Sequence, residues 1–585
     1  MSNDEGPWSA AHQRPARWGW PDLAILTAGC LLLFTALGAR SLWHSEGRWA
    51  EITREMFLTG DYFHPTIGGE PYFDKPLLTY WLVAAAAAIS GKLDEWAARF
   101  PSALAGLTAV AATLWIGRRL WSAQTGRIAA AILLTTYGLL FWSRTADADM
   151  ENVAAVMLAL AWYWSRRDRA KFADYLVFYL IVFVGALMKG LPAVILPILA
   201  ILPDVAMNRR WRQVLTPGHL LAALLASTVY LAPFVYASSS ETGTYDADGL
   251  VLVFRENIVR FFQPFDHTGP VYLYLYYLPV LLMPWAPLFI AAVIGLVGRW
   301  KSLDDKTKWL LWASVVIFAF FTASGSRRGY YILPLLPFSA LLVGVFLDRS
   351  GDVWFESVRR HALRVQAAVI AVVVLGELLG PAIGVIAGRR LGVSVPVLFY
   401  VALPATAVAA AVAAFLVWRL GKHPANLRHR GWWAMLGATA VLMGGFFCWQ
   451  QNTLEKYRTE RPFALELRAK ASGLPPEDVA FYRNNAANML FYMGAERPLP
   501  VLRNAEELRA FVAGGEKRAV ISRRKFVAAA CAAAPGKLSD NPDLVEPSPP
   551  WSTDAEDGGW VAWIVAPGQD QPAIRGQEAE RRDEK

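Results

Sequence analysis

Residues 45–76 hold a dense set of reactive side chains, in SEGRWAEITREM at 45–56 and YFDKP at 72–76. The stretch carries Glu46, Arg48, Glu51, Arg54, Glu55, Asp61, His64, Glu70, Asp74 and Lys75. Trp49, Ile52 and Met56 recur at helical spacing, which predicts an amphipathic helix lying along a membrane surface. On that helix Glu51 and Glu55 read as solvent-facing groups. Glu46 precedes the helix, and Asp74-Lys75 sits directly before an apolar run, at the depth of a lipid headgroup. Ionisable groups held against a bilayer are costly and tend to be functional. A second set lies in Arg144–Asn152, where Asp147, Asp149 and Glu151 stand between two apolar runs. Three acids there require cations, a metal, or protonation, unless they are the exposed tip of a hairpin. Lys189-Gly190 is a tight turn whose lysine either snorkels or binds an anion. Residues 237–270 add Glu256, Arg260, Asp266 and His267, and the turn at 324–329 adds Arg327 and Arg328. A carboxylate base, a divalent metal and phosphate-binding cations suit group transfer from a lipid phosphate to a hydroxyl.

The elements that must position these groups are membrane spans. The chain of 585 residues is 55% hydrophobic and only 18% charged, where soluble domains average about 25% charged. The net charge of +9 does not point to nucleic acid. Its lysines and arginines fall in short clusters between apolar runs and read as orientation signals. Those clusters are Arg118-Arg119, Arg166–Arg169, Arg209–Arg212, Arg299–Lys301, Arg359–Arg364 and Arg419–Arg430. Placing all of them inside the cell requires one pair of spans between successive clusters. That works with about 13 transmembrane helices if Pro76–Ser90, too short for a comfortable crossing, is interfacial or re-entrant. The spans are 22–39, 99–117, 127–143, 152–165, 174–188, 190–206, 218–236, 271–297, 308–323, 329–347, 364–387, 395–418 and 431–449. Arg389-Arg390 is a basic pair on the outer side against this rule.

The domain reading follows: a cytoplasmic tail at 1–21, a transmembrane domain at 22–449 with an outer loop at 40–98, a small α/β periplasmic domain at 450–567, and a charged, disordered tail at 568–585. In the α/β domain, 479–482, 519–522 and 560–566 read as strands, with helices near 460–471, 484–493 and 504–513. The residues before the first span show no cleavable signal. Cys30, Cys448 and Cys531 form no disulfide framework.

SEGRWAEITREMFLTGDY…YFDKP resembles the aminoarabinose transferase (ArnT-like) branch of the GT-C polytopic glycosyltransferases, relatives of the protein O-mannosyltransferases. The resemblance continues in order through Thr145-Ala-Asp-Ala-Asp149, Met188-Lys189-Gly190, Glu256-Asn-Ile-Val-Arg260-Phe261 with His267, and Ser324-Gly-Ser-Arg-Arg-Gly-Tyr-Tyr-Ile-Leu-Pro. It covers about residues 40–350. It implies an inverting transfer of a sugar from a polyprenyl (undecaprenyl) phosphate carrier at the periplasmic face of the bacterial inner (plasma) membrane. The acceptor would be a hydroxyl of lipid A, another glycan or a protein. By the resemblance, Asp74 and His267 match positions associated with a divalent metal, often zinc. Lys75 matches a lysine near the carrier phosphate, and Asp149 the second-loop acid, with Asp147 able to share its work. Lys189, Arg260 and Arg327 match cations of the phosphate pocket, and Arg48 is a further candidate there. Ser45-Glu46 stands where the family often has Asp-Glu, so Glu46 is a candidate base displaced by one position. Other classes to weigh are a transporter or flippase of lipid-linked sugars and a non-catalytic binder. Charges concentrated at one face, with no internal repeat, favour the enzyme over the transporter.

Overall fold

The structure is a computed structural model that describes residues 18–43, 45–72, 74–239, 269–391, 397–420, 427–453, 459–514, 516–546 and 559–566. Lipid offers no hydrogen-bond partner to a bare backbone, so an apolar run that crosses it closes its hydrogen bonds internally as helix. Helix occupies each of the apolar segments read as spans. The first part of the chain runs α1 (Trp20–Phe34), α2 (Glu46–Thr59), α3 (Leu78–Ser90), α4 (Glu95–Leu120), α5 (Ala123–Leu134), α6 (Tyr137–Ser143), α7 (Asp149–Arg166), α8 (Phe172–Lys189), α9 (Pro192–Met207), α10 (Trp211–Val214) and α11 (Pro217–Ser239). Among the described residues, 8 helices are long and apolar enough to cross a membrane, or up to 10 if each bent pair is one span. One bent pair is α5 with α6, at 62°. The other is Leu273–Leu281 with Ala286–Val297, at 115°. The chain is thus a multi-pass, mostly helical membrane protein with a small C-terminal sheet.

Two compact units emerge. The first comprises residues 1–39, 73–383 and 397–452, and its core is helix on helix. α4 packs on α5 and α7, and α7 on α8 and α9. α4 and α5 touch backbone to backbone: a Cβ on Gly126 would lie 2.5 Å from the Leu114 carbonyl oxygen, so only glycine fits this approach. α1 is anchored at both ends by buried charge. At its start Asp22, fully buried, accepts from Arg118 Nη1 at 2.8 Å and Arg127 Nε at 2.8 Å. At its end Arg144 donates to the carbonyls of Leu32, Leu33 and Ala36 at 2.8, 3.0 and 3.2 Å. Leu32 and Leu33 are among the last carbonyls of α1, which a helix C-terminus leaves without an internal partner. The Arg144 contact ties the loop that carries Asp147 and Asp149 to the first span. α3 is an apolar helix of 13 residues, shorter than a span of about 20. It packs on α4 and α8, with Tyr80 and Val83 fully buried.

The second unit comprises residues 40–72, 384–396 and 453–585. The loop at 40–98 is therefore divided at residue 73, its first part folding with the C-terminal residues. β1 (Thr66–Ile67) and β2 (Glu70–Pro71) form an antiparallel hairpin. β3 (Val479–Tyr482), β4 (Val501–Leu502), β5 (Arg518–Arg523), β6 (Leu544–Val545) and β7 (Trp560–Val565) form one sheet in the order β4-β3-β5-β7-β6. β3 runs parallel to β4 and β5, and β7 antiparallel to β5 and β6. The alternating apolar runs at 479–482, 519–522 and 560–566 are the three central strands. Helices Ala505–Ala513 and Val527–Ala533 cover the sheet, burying Leu508, Val512 and Ala530 against Ala480, Val520 and Trp563.

α2 belongs to this unit and corrects the surface-helix reading of its acids. Trp49, Ile52 and Met56 are buried as the spacing predicts, but Glu51 is fully buried and Glu55 nearly so. The reason is that α2 is covered on more than one face. It packs on the helix Ala487–Met493 and on β1. Gly47 lies so close to Asn488 that a Cβ there would meet its Oδ1 at 1.9 Å. Glu51 is held by a two-pronged pair with Arg54, at 2.8 and 2.7 Å. Glu55 accepts from Thr66 Oγ1 and from the backbone N–H of Gly68 at 2.5 Å, so it shapes the hairpin turn.

Candidate functional site

In the helical unit, Asp147, Asp149, Glu151 and Lys189 meet. The route from sequence to this cluster is short. After α6 the chain turns through Arg144–Ala148, and Asp149 begins α7. An acid at a helix N-terminus faces unpaired N–H groups and the positive end of the helix dipole. Lys189 is the last residue of α8, where a cation complements the negative end. α7 and α8 are antiparallel neighbours joined by a short connection, so the start of one and the end of the other lie side by side. Lys189 Nζ donates to Asp149 Oδ2 at 2.8 Å and lies 3.8 Å from Asp147 Oδ1. Asp147 Oδ1 also accepts from the Ala148 N–H at 2.7 Å. Ser102, from α4, donates its hydroxyl to the Asp147 carbonyl oxygen at 2.7 Å and approaches Glu151 Oε1 at 3.5 Å. All three acids are buried, so the exposed-hairpin alternative does not hold.

The cluster carries more carboxyl than ammonium. In a buried place an ion needs a counter-charge or a hydrogen-bond partner, and Lys189 supplies one cation for three acids. Glu151 Oε2 is buried with no hydrogen-bond partner. Tyr330 and Tyr331 close the cationic side, with ring centroids 6.0 and 5.9 Å from Lys189 Nζ. Tyr330 is fixed in turn by Trp142, at 4.3 Å between centroids, and by Arg328, which donates to its hydroxyl at 2.6 Å. A cation against aromatic faces is stabilised without losing its charge.

The other predicted residues fall as follows. Glu46 starts α2 in the second unit, fully buried, and its Oε2 accepts from Arg40 Nη2 at 3.0 Å and the Trp43 N–H at 2.9 Å. Those bonds hold the chain leading into α2. Arg48 donates to Tyr72 Oη at 3.0 Å in the same unit. Asp74 is exposed and Lys75 half-buried just before α3. Arg327 donates to the carbonyls of Thr322, at 3.1 and 3.0 Å, and Gly269, at 2.8 Å. Its guanidinium therefore shapes its own turn, and only the hydrogens beyond these bonds remain for a phosphate. Arg260 and His267 lie outside the described residues. Among the described residues, no group of three or more His, Cys, Asp and Glu side chains could hold a metal ion. Sequence reasoning passed over Ser102 and Trp142, which sit in apolar helices with nothing to mark them. Tyr330 and Tyr331 were visible as the pair following Arg327-Arg328, but only the fold turns their rings to Lys189.

Glu51 gives a pH dependence in the second unit. Burial, with the neighbouring Glu55, outweighs the pull of Arg54 and pushes its carboxyl up to about 7 from 4.5. A raised acid pKa favours the protonated folded form. The contribution is fully present below the unfolded value and is lost as pH rises through about 7. Relative to Glu51→Gln, the unmodified protein is thus expected to lose melting temperature between pH 4.5 and pH 7.5, read by tryptophan fluorescence. Parallel curves for the two proteins would show that Glu51 does not titrate in this range.

Residues 74–236 match the family model described as dolichyl-phosphate-mannose-protein mannosyltransferase. An undecaprenyl phosphate-alpha-4-amino-4-deoxy-L-arabinose arabinosyl transferase of Pseudomonas aeruginosa is 31% identical over 332 residues, 55% of this chain and 58% of that protein. The protein of the same name from Edwardsiella ictaluri is 29% identical, over 61% of this chain and 64% of its own length. The chain thus spans less than two thirds of the curated relatives it matches. ArnT from Cupriavidus metallidurans, solved bound to undecaprenyl phosphate, superposes with a TM-score of 0.72 at 19% identity, covering 95% of this chain and 98% of that one. That superposition shows the fold, a GT-C-type helical membrane fold with a small C-terminal α/β domain.

Proposed function

We propose that the chain is an inverting glycosyltransferase that moves a sugar from a polyprenyl phosphate, undecaprenyl phosphate in particular, to a hydroxyl of lipid A, another glycan or a protein. The reaction takes place at the periplasmic face of the inner membrane. The observation that carries the reading is the buried cluster Asp147–Asp149–Lys189 at one end of a multi-pass bundle. The similarity to named undecaprenyl phosphate arabinosyl transferases supports it.

The chemistry follows from the groups present. Asp149 takes the proton of the acceptor hydroxyl as its oxygen attacks the anomeric carbon. The bond from that carbon to the phosphate oxygen breaks on the opposite side, which inverts the centre, and the electron pair leaves with the carrier phosphate. Lys189 holds Asp149 in place as a buried counter-ion, and Asp147 shares its charge. Lys75, with Arg260 and the spare donors of Arg327, carries the negative charge that develops on the departing phosphate. No step is assigned to a metal. Glu46 and Arg48 shape the approach to α2 through the bonds described above.

The test is turnover by the purified protein. Undecaprenyl phosphate carrying a 4-amino sugar and one carrying a neutral hexose are each supplied with lipid A, and free carrier phosphate is measured. Release that depends on acceptor supports the reading. A protein that binds these donors and releases carrier from none, with or without acceptor, overturns it in favour of a binder or flippase.

A further inference from the structure

At the opposite end of α7 and α8 from the acidic cluster lies a cavity of about 240 Å³. α7 has 18 residues, so the cavity stands roughly 27 Å along the helix from Asp149, near the other membrane face. Its polar lining comes from the α7–α8 connection and the residues around α10, and includes Arg166, Arg167, Arg169 and Arg210 with the carboxylates of Asp168 and Asp174. Its depth is apolar, walled by Phe178, Ile201 and Leu202 among others.

The charges of this lining are unequally spent. Arg167 is held by Asp204 through two bonds, at 2.7 and 2.6 Å, and Arg210 pairs with Asp168 at 2.7 Å. Arg166, half-exposed, lies over the Trp162 ring at 5.1 Å and is loosely paired with Asp174, at 3.4 Å. Arg169 is exposed, with no side-chain partner among the described residues. His219 is pinned inside by stacking on Tyr175, at 3.7 Å between centroids, and by Tyr179 Oη at 3.2 Å from its Nδ1. Around the same end, Phe172, Trp211 and Leu215 are exposed. Large apolar side chains beside arginines are the composition of a membrane interface.

We infer that this cavity binds the headgroup of a phosphate-bearing lipid, with Arg166 and Arg169 on the phosphate and the first methylenes of its chains against the apolar wall. A guanidinium pairs with phosphate through two parallel hydrogen bonds, which an ammonium cannot match. The apolar depth selects a lipid over a free anion. The face is the one bearing the basic clusters, where anionic lipids concentrate in a bacterial inner membrane. The site is separate from the transfer chemistry and does not depend on it.

The full chain, in nanodiscs of neutral lipid, is photolabelled with phosphatidic acid carrying a diazirine in its acyl chain. The same diazirine on diacylglycerol is the uncharged control. Labelling of peptides from α8 and α9 by phosphatidic acid but not by diacylglycerol is expected. In Arg166→Gln/Arg169→Gln it should fall by roughly ten-fold or more. Both positions are at the surface, so an unchanged melting temperature identifies the loss as binding. Equal labelling by both lipids, or undiminished labelling in the double variant, would overturn the inference. So would inorganic phosphate alone that raises the melting temperature of the delipidated protein and blocks the label, since the site would then take a free anion.

Discussion

Asp149→Asn is expected to reduce sugar transfer by roughly 10²- to 10⁴-fold, the range that a positioned general base contributes. The substitution keeps the size of the side chain and one acceptor oxygen, so Lys189 can still donate to it. What it removes is the capacity to take the acceptor proton. The loss should appear in the rate of the bound complex while donor affinity changes little, because an interaction made only in the transition state does not alter ground-state binding. Asp147→Asn leaves the closer carboxylate in place and should cost less. Transfer by Asp149→Asn at the rate of the unmodified protein would remove Asp149 from the chemistry.

Lys189→Met is expected to have the largest effect on stability. Lys189 is the cation shared by Asp149 at 2.8 Å and Asp147 at 3.8 Å in a buried cluster. Breaking a buried pair by removing one partner costs roughly 3–5 kcal/mol, since the remaining charge is left without compensation. Here the cation is withdrawn from two carboxyls at once. Adding Asp149→Asn to Lys189→Met should restore part of that stability, and a double-mutant cycle reads the coupling directly. The measurement is unfolding of the detergent-solubilised protein, followed by tryptophan fluorescence. Additive losses would show that lysine and aspartate do not act as a pair.

The helical segments were legible because membrane spans announce themselves by long apolar runs and by where arginine clusters interrupt them. The same bias singled out Pro76–Ser90 as a segment apart, and α3 is correspondingly short. The strands of the C-terminal sheet were legible in VAFY, AVIS and WVAWIVA, whereas β4 and β6, two residues each, leave no pattern to read. Asp147, Asp149 and Lys189 stood out as ionisable residues between apolar runs. Their meeting was not legible, because ordering the spans puts these groups at one face without showing which side chains converge there. Glu51 and Glu55 misled for a related reason. Periodicity identifies a face that must be buried, but not a second face that a hairpin and a helix remote in sequence also cover. Glu46 was legible as an acid near the end of the first span, but not its engagement by Arg40 and the Trp43 N–H. His267 and Arg260 fall outside the described residues.

The central claim is that the carboxylate–lysine cluster carries out transfer from a lipid phosphate. It is tested most directly by single-turnover kinetics with an isotope-labelled undecaprenyl phosphate sugar bound before acceptor is added, in the unmodified protein and in Asp149→Asn. The account predicts that the unmodified protein passes the label to the acceptor with inverted anomeric configuration, while Asp149→Asn holds the donor intact. Retained configuration in the product, or label transferred as fast by Asp149→Asn, would contradict it.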